Sequence, residues 1–355
     1  MKKHNFSAGP SILPEEVLNK ASKAILELDN IGLSLIEISH RSKEFISIME
    51  EATDRVLKIT GLENKGYKAI FVQGGASLQF LMTAYNLLEN KAAYINSGTW
   101  SIKAIKEAKL IGDVSEIGSS EDKNFNYIPK INNISDDHDY VHITTNNTIF
   151  GTQYQSFPEC SSSLIADMSS DIFSRKIDFS KFDLFYAGAQ KNMGPAGVTL
   201  VVIKEDILNK VSRNIPTMLN YASYIKAGSM SNTPPVFSVY TTLLNLRWIE
   251  SQGGIEELES RNIKKAELLY NEIDRNKFFK GFAAIEDRSY MNVTFTLTNE
   301  NLSDSFNQIW EEKNISGLKG HRSVGGYRAS IYNALPIESV KVLVECMKQF
   351  EILNK

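Results

Sequence analysis

Short, predominantly apolar runs return along this chain at intervals filled by helix-patterned segments, and that alternation restricts the possible folds more than any other feature. The runs are Lys68–Val72, Ala92–Ile95, Tyr140–Thr144, Leu164–Ala166, Leu184–Tyr186 and Val198–Ile203. Between and before them, helices are expected over Pro14–Leu28, over Lys43–Thr60, from Leu78 onward (Leu78, Leu81, Tyr85, Leu88) and over Ser101–Ala108, because apolar residues recur there at helical spacing. Strands that are apolar throughout belong to a sheet covered on both faces, and interleaved helices provide the cover. An α/β fold is expected.

Past Gly253-Gly254 the pattern changes. A long polar helix (Ile255–Asn276) leads to a strand (Met291–Leu297), a helix (Ser303–Asn314), a second strand (Tyr327–Tyr332) and a final helix (Ile337–Leu353). This reads as a smaller α+β domain. The expected division is an arm at 1–14, a large domain at 15–255, and a small domain at 256–355 whose first helix, 256–276, makes the link.

Charge and targeting patterns exclude several function classes. Lysine plus arginine number 39 against 42 aspartate plus glutamate, a net charge of −3, so no basic field exists to hold nucleic acid;. The longest apolar runs are strand-sized, far short of the ~20 residues that span a bilayer. The first residues lack a signal-peptide core, and Cys160 and Cys346 form no pairing or metal pattern. His4, His138 and His142 show no ligand spacing either. A cytoplasmic protein without metal is expected.

Ligands of open α/β sheets bind beyond the carboxyl ends of the strands, and four segments fall there. Gln73-Gly74-Gly75-Ala76-Ser77 joins a strand to a helix; its small residues and helix-start amides suit a phosphate, or simply a tight turn. Asp167 directly follows Leu164–Ala166, where a carboxylate needs a cation, donors or a capping role. Lys191 sits among small residues between two buried strands, where desolvation turns an amine into a nucleophile toward aldehydes. The run from Gly317 to Asn333 holds His321, Arg322 and Arg328, and Ser39-His40-Arg41-Ser42 repeats the His-Arg pairing near the other end. Guanidinium groups grip carboxylate and phosphate bidentately, although a solvated basic loop is the plainer reading of either segment alone. Amine, acid, phosphate seat and an aromatic ring, here Trp100, together form the set that pyridoxal phosphate needs.

On three ordered segments the chain resembles the phosphoserine aminotransferases, fold-type I pyridoxal-phosphate enzymes of class V. They are Tyr186-Ala187-Gly188-Ala189-Gln190-Lys191-Asn192, Gly228–Pro235 and His321–Ala334. The resemblance runs from Asn5–Pro10 to the last helix. It implies a large, mostly parallel sheet sandwiched by helices, with the smaller α+β domain behind it. It also implies Lys191 as the Schiff-base lysine, Asp167 as the acid at the pyridine nitrogen, Trp100 as the stacking ring and Thr148 as donor to the ring's phenolic oxygen. Ala76, Ser77 and Gln190 are similar to phosphate-seat residues, and Asn232 and Thr233 to residues that reach the phosphate from a second subunit. His40, Arg41, His321, Arg322 and Arg328 match the residues that hold the substrate's carboxylate and phosphate. The implied reaction is reversible amino transfer from L-glutamate to 3-phosphooxypyruvate in serine synthesis, by a homodimer with shared sites, with 4-phosphohydroxythreonine as a side substrate.

Ser77 departs from the relatives that carry an arginine there, which leaves phosphate recognition to His40, Arg41, His321 and Arg322. Competing readings are another fold-type I enzyme, of the alanine–glyoxylate or cysteine desulfurase kind, a passive phosphate-binding protein, and a metal enzyme.

Overall fold

A computed structural model of the chain describes residues 2–355. Its large sheet has seven strands: β1 (Tyr67–Val72), β2 (Lys91–Asn96), β3 (Asp113–Ser119), β4 (Tyr140–Thr144), β5 (Ser163–Asp167), β6 (Leu184–Gly188) and β7 (Thr199–Lys204). The spatial order is β1-β7-β6-β5-β4-β2-β3. β7 runs against both of its neighbours, and every other pairing is parallel. Because β7 opposes both β1 and β6, those two point the same way. The carboxyl ends of six strands therefore open on one edge.

Alternation along the strands divides the interior. Ala69, Phe71, Phe185, Ala187, Leu200 and Val202 face one core, while Ile70, Val72, Leu184, Tyr186, Val201 and Ile203 face the other, as the two-residue period of a strand requires. The first core is covered by α1 (Glu15–Leu26), α2 (Lys43–Thr60) and α6 (Val236–Ser251). The second is covered by α3 (Gly75–Leu87), α4 (Thr99–Ala108) and α5 (Tyr221–Lys226).

Several elements escaped the sequence reading, the short α5 and the three-residue strand Phe279–Gly281 among them, and two others escaped it for opposite reasons. α6 is buried on nearly every side, and its ten buried residues include Ser238, Thr241, Thr242 and Asn245, so polar and apolar residues share its faces and it has no amphipathic period to detect. β3 is an edge strand whose residues are half-buried or exposed, so it lacks the apolar run that marks the central strands. Element ends also moved. Pro14 caps α1 from outside, α3 begins at Gly75 rather than Leu78, and α4 begins at Thr99 rather than Ser101.

A third core holds the C-terminal part. α7 (Gly254–Arg275), α8 (Ser303–Glu312) and α9 (Ile337–Leu353) pack on an antiparallel sheet of β8 (Phe279–Gly281), β9 (Asn292–Leu297) and β10 (Tyr327–Ser330). The first residues join this core. His4–Asn5 pairs with Ile315–Ser316, and Phe6 is fully buried among the residues of α9 and β10. Among the described residues, no helix is long and apolar enough to cross a membrane, and no cluster of His, Cys, Asp and Glu is placed to hold a metal. Cys160 and Cys346 are free thiols.

Candidate active site

Asp167 is the last residue of β5, and Lys191 lies three residues beyond the end of the adjacent parallel strand β6. The separation of 24 positions between them is filled by a loop, the strand β6 and a turn. Asp167 is 5% exposed, and its Oδ1 accepts from the Ser169 amide at 2.9 Å. Burial pushes its carboxyl up, opposed by Lys191 and by Ser169. Lys191 is half-buried, and burial pulls its amine down to about 8 against the opposing pull of Asp167, with Arg328 adding to the fall. The two groups feel each other's charge yet close no ion pair among the described residues. Opposite charges held apart beside a cleft leave room between them for a flat, polar ring.

Trp100 forms one wall. It stands in the first turn of α4, half-buried, with the Lys191 amine 5.6 Å from its ring centre. Its indole N–H donates to Thr148 Oγ1 at 3.0 Å. Having accepted there, the Thr148 hydroxyl keeps its own proton free to donate into the cleft. The backbone oxygen of Thr148 accepts from Arg328 Nη1 at 3.0 Å. Trp100, Thr148 and Arg328 thus form one continuous wall contributed by α4, the segment after β4, and β10.

The phosphate seat lies at the start of α3. Gly74, which precedes the helix, has φ of 94°, and a Cβ there would fall 2.5 Å from the Leu78 side chain. Only glycine tolerates both conditions. No side chain caps this helix, so the first-turn amides of Gly75, Ala76 and Ser77 lack acceptors among the described residues. Free amides at the positive end of a helix dipole favour an anion. Gln73 Nε2 donates to the backbone oxygen of Thr233 at 2.9 Å, which sets the exposed Thr233 and the half-buried Asn232 beside this end of α3. Gln190 is half-buried next to Lys191, and Gly188 leaves the space its amide fills, since a Cβ there would sit 2.7 Å from Gln190 Oε1.

The arginines sort cleanly. Of ten in the chain, seven meet carboxylates: Arg55, Arg175, Arg213, Arg247, Arg261, Arg275 and Arg288. Arg41, Arg322 and Arg328 have no carboxylate partner among the described residues, and these are the three that the motifs single out. Arg328 is half-buried with its Nε unpartnered. An unpaired buried cation is costly, so such a site calls for an incoming anion. His321 is held below its ordinary pKa by burial and then by Arg328, Arg322 and Lys103. Its Nδ1 accepts from the Ser323 amide at 3.2 Å, which leaves the proton of the neutral ring on Nε2.

Among the described residues, no hydrogen bond or ion pair joins His40 and Arg41 to this cluster. They lie in the loop before α2, Arg41 exposed and His40 with a buried, unpartnered Nε2.

The sequence reading missed one contributor, the N-terminal arm. The Ser11 amide donates to the Gln190 carbonyl at 2.9 Å, and the Ser11 hydroxyl donates to the Lys191 carbonyl. A Cβ on Gly9, which has φ of 145°, would press on Lys191 Cγ at 3.4 Å. Tyr332, just past β10, donates from its hydroxyl to the Ala8 carbonyl at 2.8 Å. The arm therefore lies between Lys191 and the strand that carries Arg328. The segment Asn5–Pro10 was recognisable as a motif, but its partners lie far away in sequence and no periodicity announces them.

Comparison with known proteins agrees with this architecture. The model of the aminotransferase class-V family matches residues 3–343. The phosphoserine aminotransferase of Flavobacterium johnsoniae is 62% identical over 353 residues, covering 99% of each chain. The solved phosphoserine aminotransferase of Bacillus circulans subsp. alkalophilus superposes with a TM-score of 0.96 at 45% identity, covering 100% of this chain and 99% of that one. The pyridoxal-phosphate-bound enzyme of Trichomonas vaginalis superposes with a TM-score of 0.92 at 35% identity, covering 98% of this chain and 100% of that one. By these matches the chain belongs to the class-V aminotransferases and, within them, to the phosphoserine aminotransferase family.

Proposed function

We propose that this chain catalyses reversible amino transfer from L-glutamate to 3-phosphooxypyruvate, giving O-phospho-L-serine and 2-oxoglutarate in L-serine biosynthesis. In this reading it works as a cytoplasmic homodimer, and 4-phosphohydroxythreonine is a second substrate. The observation that carries the reading is the buried carboxylate of Asp167 and the lowered amine of Lys191, held apart beside Trp100 and the half-buried Arg328.

The residues fit pyridoxal phosphate. Asp167 would face its ring nitrogen, Trp100 its face and Thr148 its phenolic oxygen. Ala76, Ser77 and Gln190, with Asn232 and Thr233 of a second copy, would hold its phosphate. When bound, the cofactor supplies an aldehyde that carries the amino group and a ring that accepts electrons from the substrate α-carbon.

The protein's own part follows from proton positions. Asp167, buried and near a cation, holds a proton on the nitrogen it faces. Lys191, pulled down to about 8, gives up its proton far more readily than an ordinary lysine, so its amine takes the proton from the α-carbon in one half-reaction and returns it in the other. Arg328 grips the α-carboxylate common to both substrates. His321 and Arg322, with His40 and Arg41, meet the distal group, which changes from carboxylate to phosphate between half-reactions.

The division into an arm (1–14), a large domain (15–255) and a small domain (256–355) belongs to the same reading, in which Trp100 and Thr148 of the large domain meet Arg328 of the small one in a single wall. Exposed Leu26, Leu33 and Ile36 support the homodimer as an apolar surface for a second copy;.

An absorption spectrum of the purified protein tests the assignment. The visible cofactor band should be lost on adding O-phospho-L-serine and persist with unphosphorylated serine. Absence of any such band, or equal loss with both amino acids, would overturn it.

A further inference from the structure

We propose that Lys103 is a recognition residue for the phosphorylated end of the substrate, an inference that rests on the function proposed above. Lys103 lies three residues after Trp100 on α4, and its Nζ stands 4.6 Å from the centre of the same indole that the Lys191 amine approaches to 5.6 Å. Across the cleft, Val324 and Trp100 pack against one apolar cluster of Phe125, Ile149 and Phe150. That shared contact brings the turn carrying His321 and Arg322 up to the start of α4. The charge of Lys103 is felt at His321. Among the described residues the exposed Lys103 ammonium has no carboxylate and no hydrogen-bond acceptor, so beyond the Trp100 ring its charge is free to meet an anion.

Charge arithmetic decides which end of the substrate it serves. Both half-reactions bring one α-carboxylate, which Arg328 suits because it is half-buried and anchored on Thr148. The distal group carries one negative charge in glutamate and close to two in the phosphorylated substrate. Ser77, at the phosphate-seat end, contributes no charge. A compact ammonium on a flexible stem adds a point charge that follows a phosphate without demanding the bidentate geometry of a guanidinium. Lys103 therefore favours the dianion over the monoanion, and it lets one mouth admit both.

The test uses the holoenzyme and its K103Q and K103R variants. Each is titrated with O-phospho-L-serine and with L-glutamate by the cofactor absorbance, at low and high salt, and inorganic phosphate binding is measured by calorimetry. K103Q should lower the preference for phosphoserine over glutamate roughly fivefold, the size of an exposed charge pair, and weaken phosphate binding in parallel. The effect should shrink at about 1 M salt, and K103R should restore most of it. Equal shifts for both amino acids would assign Lys103 to the support of Trp100 instead, and an unchanged preference or unchanged phosphate binding would likewise overturn the inference. A wild-type enzyme that does not distinguish phosphoserine from serine would instead overturn the proposed function, whatever Lys103 does.

Discussion

Lys191, half-buried, and Lys265, fully buried, are both amines lowered by burial, and comparing them separates scaffold from chemistry. Burial is the main cause of a lowered pKa in each, to about 8 for Lys191 and about 7 for Lys265. Lys265, on α7, is 2% exposed and donates to three backbone carbonyls, Ile331 at 2.9 Å, Tyr332 at 2.7 Å and Leu335 at 3.1 Å. Lys191 has no acceptor among the described residues and opens to the cleft. An amine whose every donor is engaged cannot reach a substrate, whereas one with none engaged is free to do so. A low pKa alone does not identify a reactive lysine; the state of its donors does. The two are also connected. Lys265 secures the segment after β10, where the Asn333 amide donates to Asn192 Oδ1 at 3.1 Å, next door to Lys191.

Two substitutions would break this contrast most visibly. Lys191→Ala should cut turnover by roughly 10⁴-fold, because it removes the nucleophile and the proton carrier together. Its thermal midpoint should stay level or rise, since a desolvated charge disappears. Lys265→Met should do the reverse. It strands three carbonyls without their donor, costing about 3 kcal/mol in urea unfolding, while the folded fraction keeps its cofactor absorbance. If Lys265→Met lost activity without losing stability, the division of labour between the two lysines would be wrong.

The contrast also explains what the sequence could reveal. Lys191 was legible because small residues and apolar strands surround it, a setting where a surface lysine has no place. Asp167 was legible as a carboxylate at the end of an apolar strand, and Arg328 through its motif. Lys265 carried a signal that went unread. On α7 the buried stripe of Ile255, Leu258, Ala266, Leu269 and Ile273 includes Asn262 and Lys265, and a charge on a core stripe marks either an error of pattern or a buried anchor. Ser11 carried no signal at all, since its bonds to Gln190 and Lys191 span about half the chain. The central strands were readable because both their faces are buried; β3 and α6 were not, one being too polar and the other mixing polar with apolar residues on its buried faces. Long-range polar contacts are a product of the finished fold, and local pattern does not contain them.

Smaller effects sharpen the comparison. Ser11→Ala removes one hydroxyl bond to the backbone of Lys191 and should cost about 1 kcal/mol in unfolding. If the arm positions the lysine, kcat falls with little change in KM, and a Ser11→Thr substitution that keeps the hydroxyl restores it. A loss of stability with unchanged kcat would reduce the arm to a strut.

The pH dependence of stability asks whether burial or the three carbonyls govern Lys265. Its folded value of about 7 lies below the ordinary lysine value of 10.5, which the unfolded chain retains. Between those values the unfolded chain binds more protons than the folded one, so stability gains from rising pH, by up to ~1.4 kcal/mol per unit for a single group. Below about 7 both states are protonated and the contribution is flat. Lys265→Met lacks the group, while Lys191 and the other titrations are common to both proteins and cancel. The stability advantage of the wild type over Lys265→Met should therefore widen between about pH 7 and pH 9, read from paired urea midpoints. An advantage that does not change across that range would show that the carbonyls outweigh desolvation and keep Lys265 charged, so that only Lys191 is poised to lose its proton.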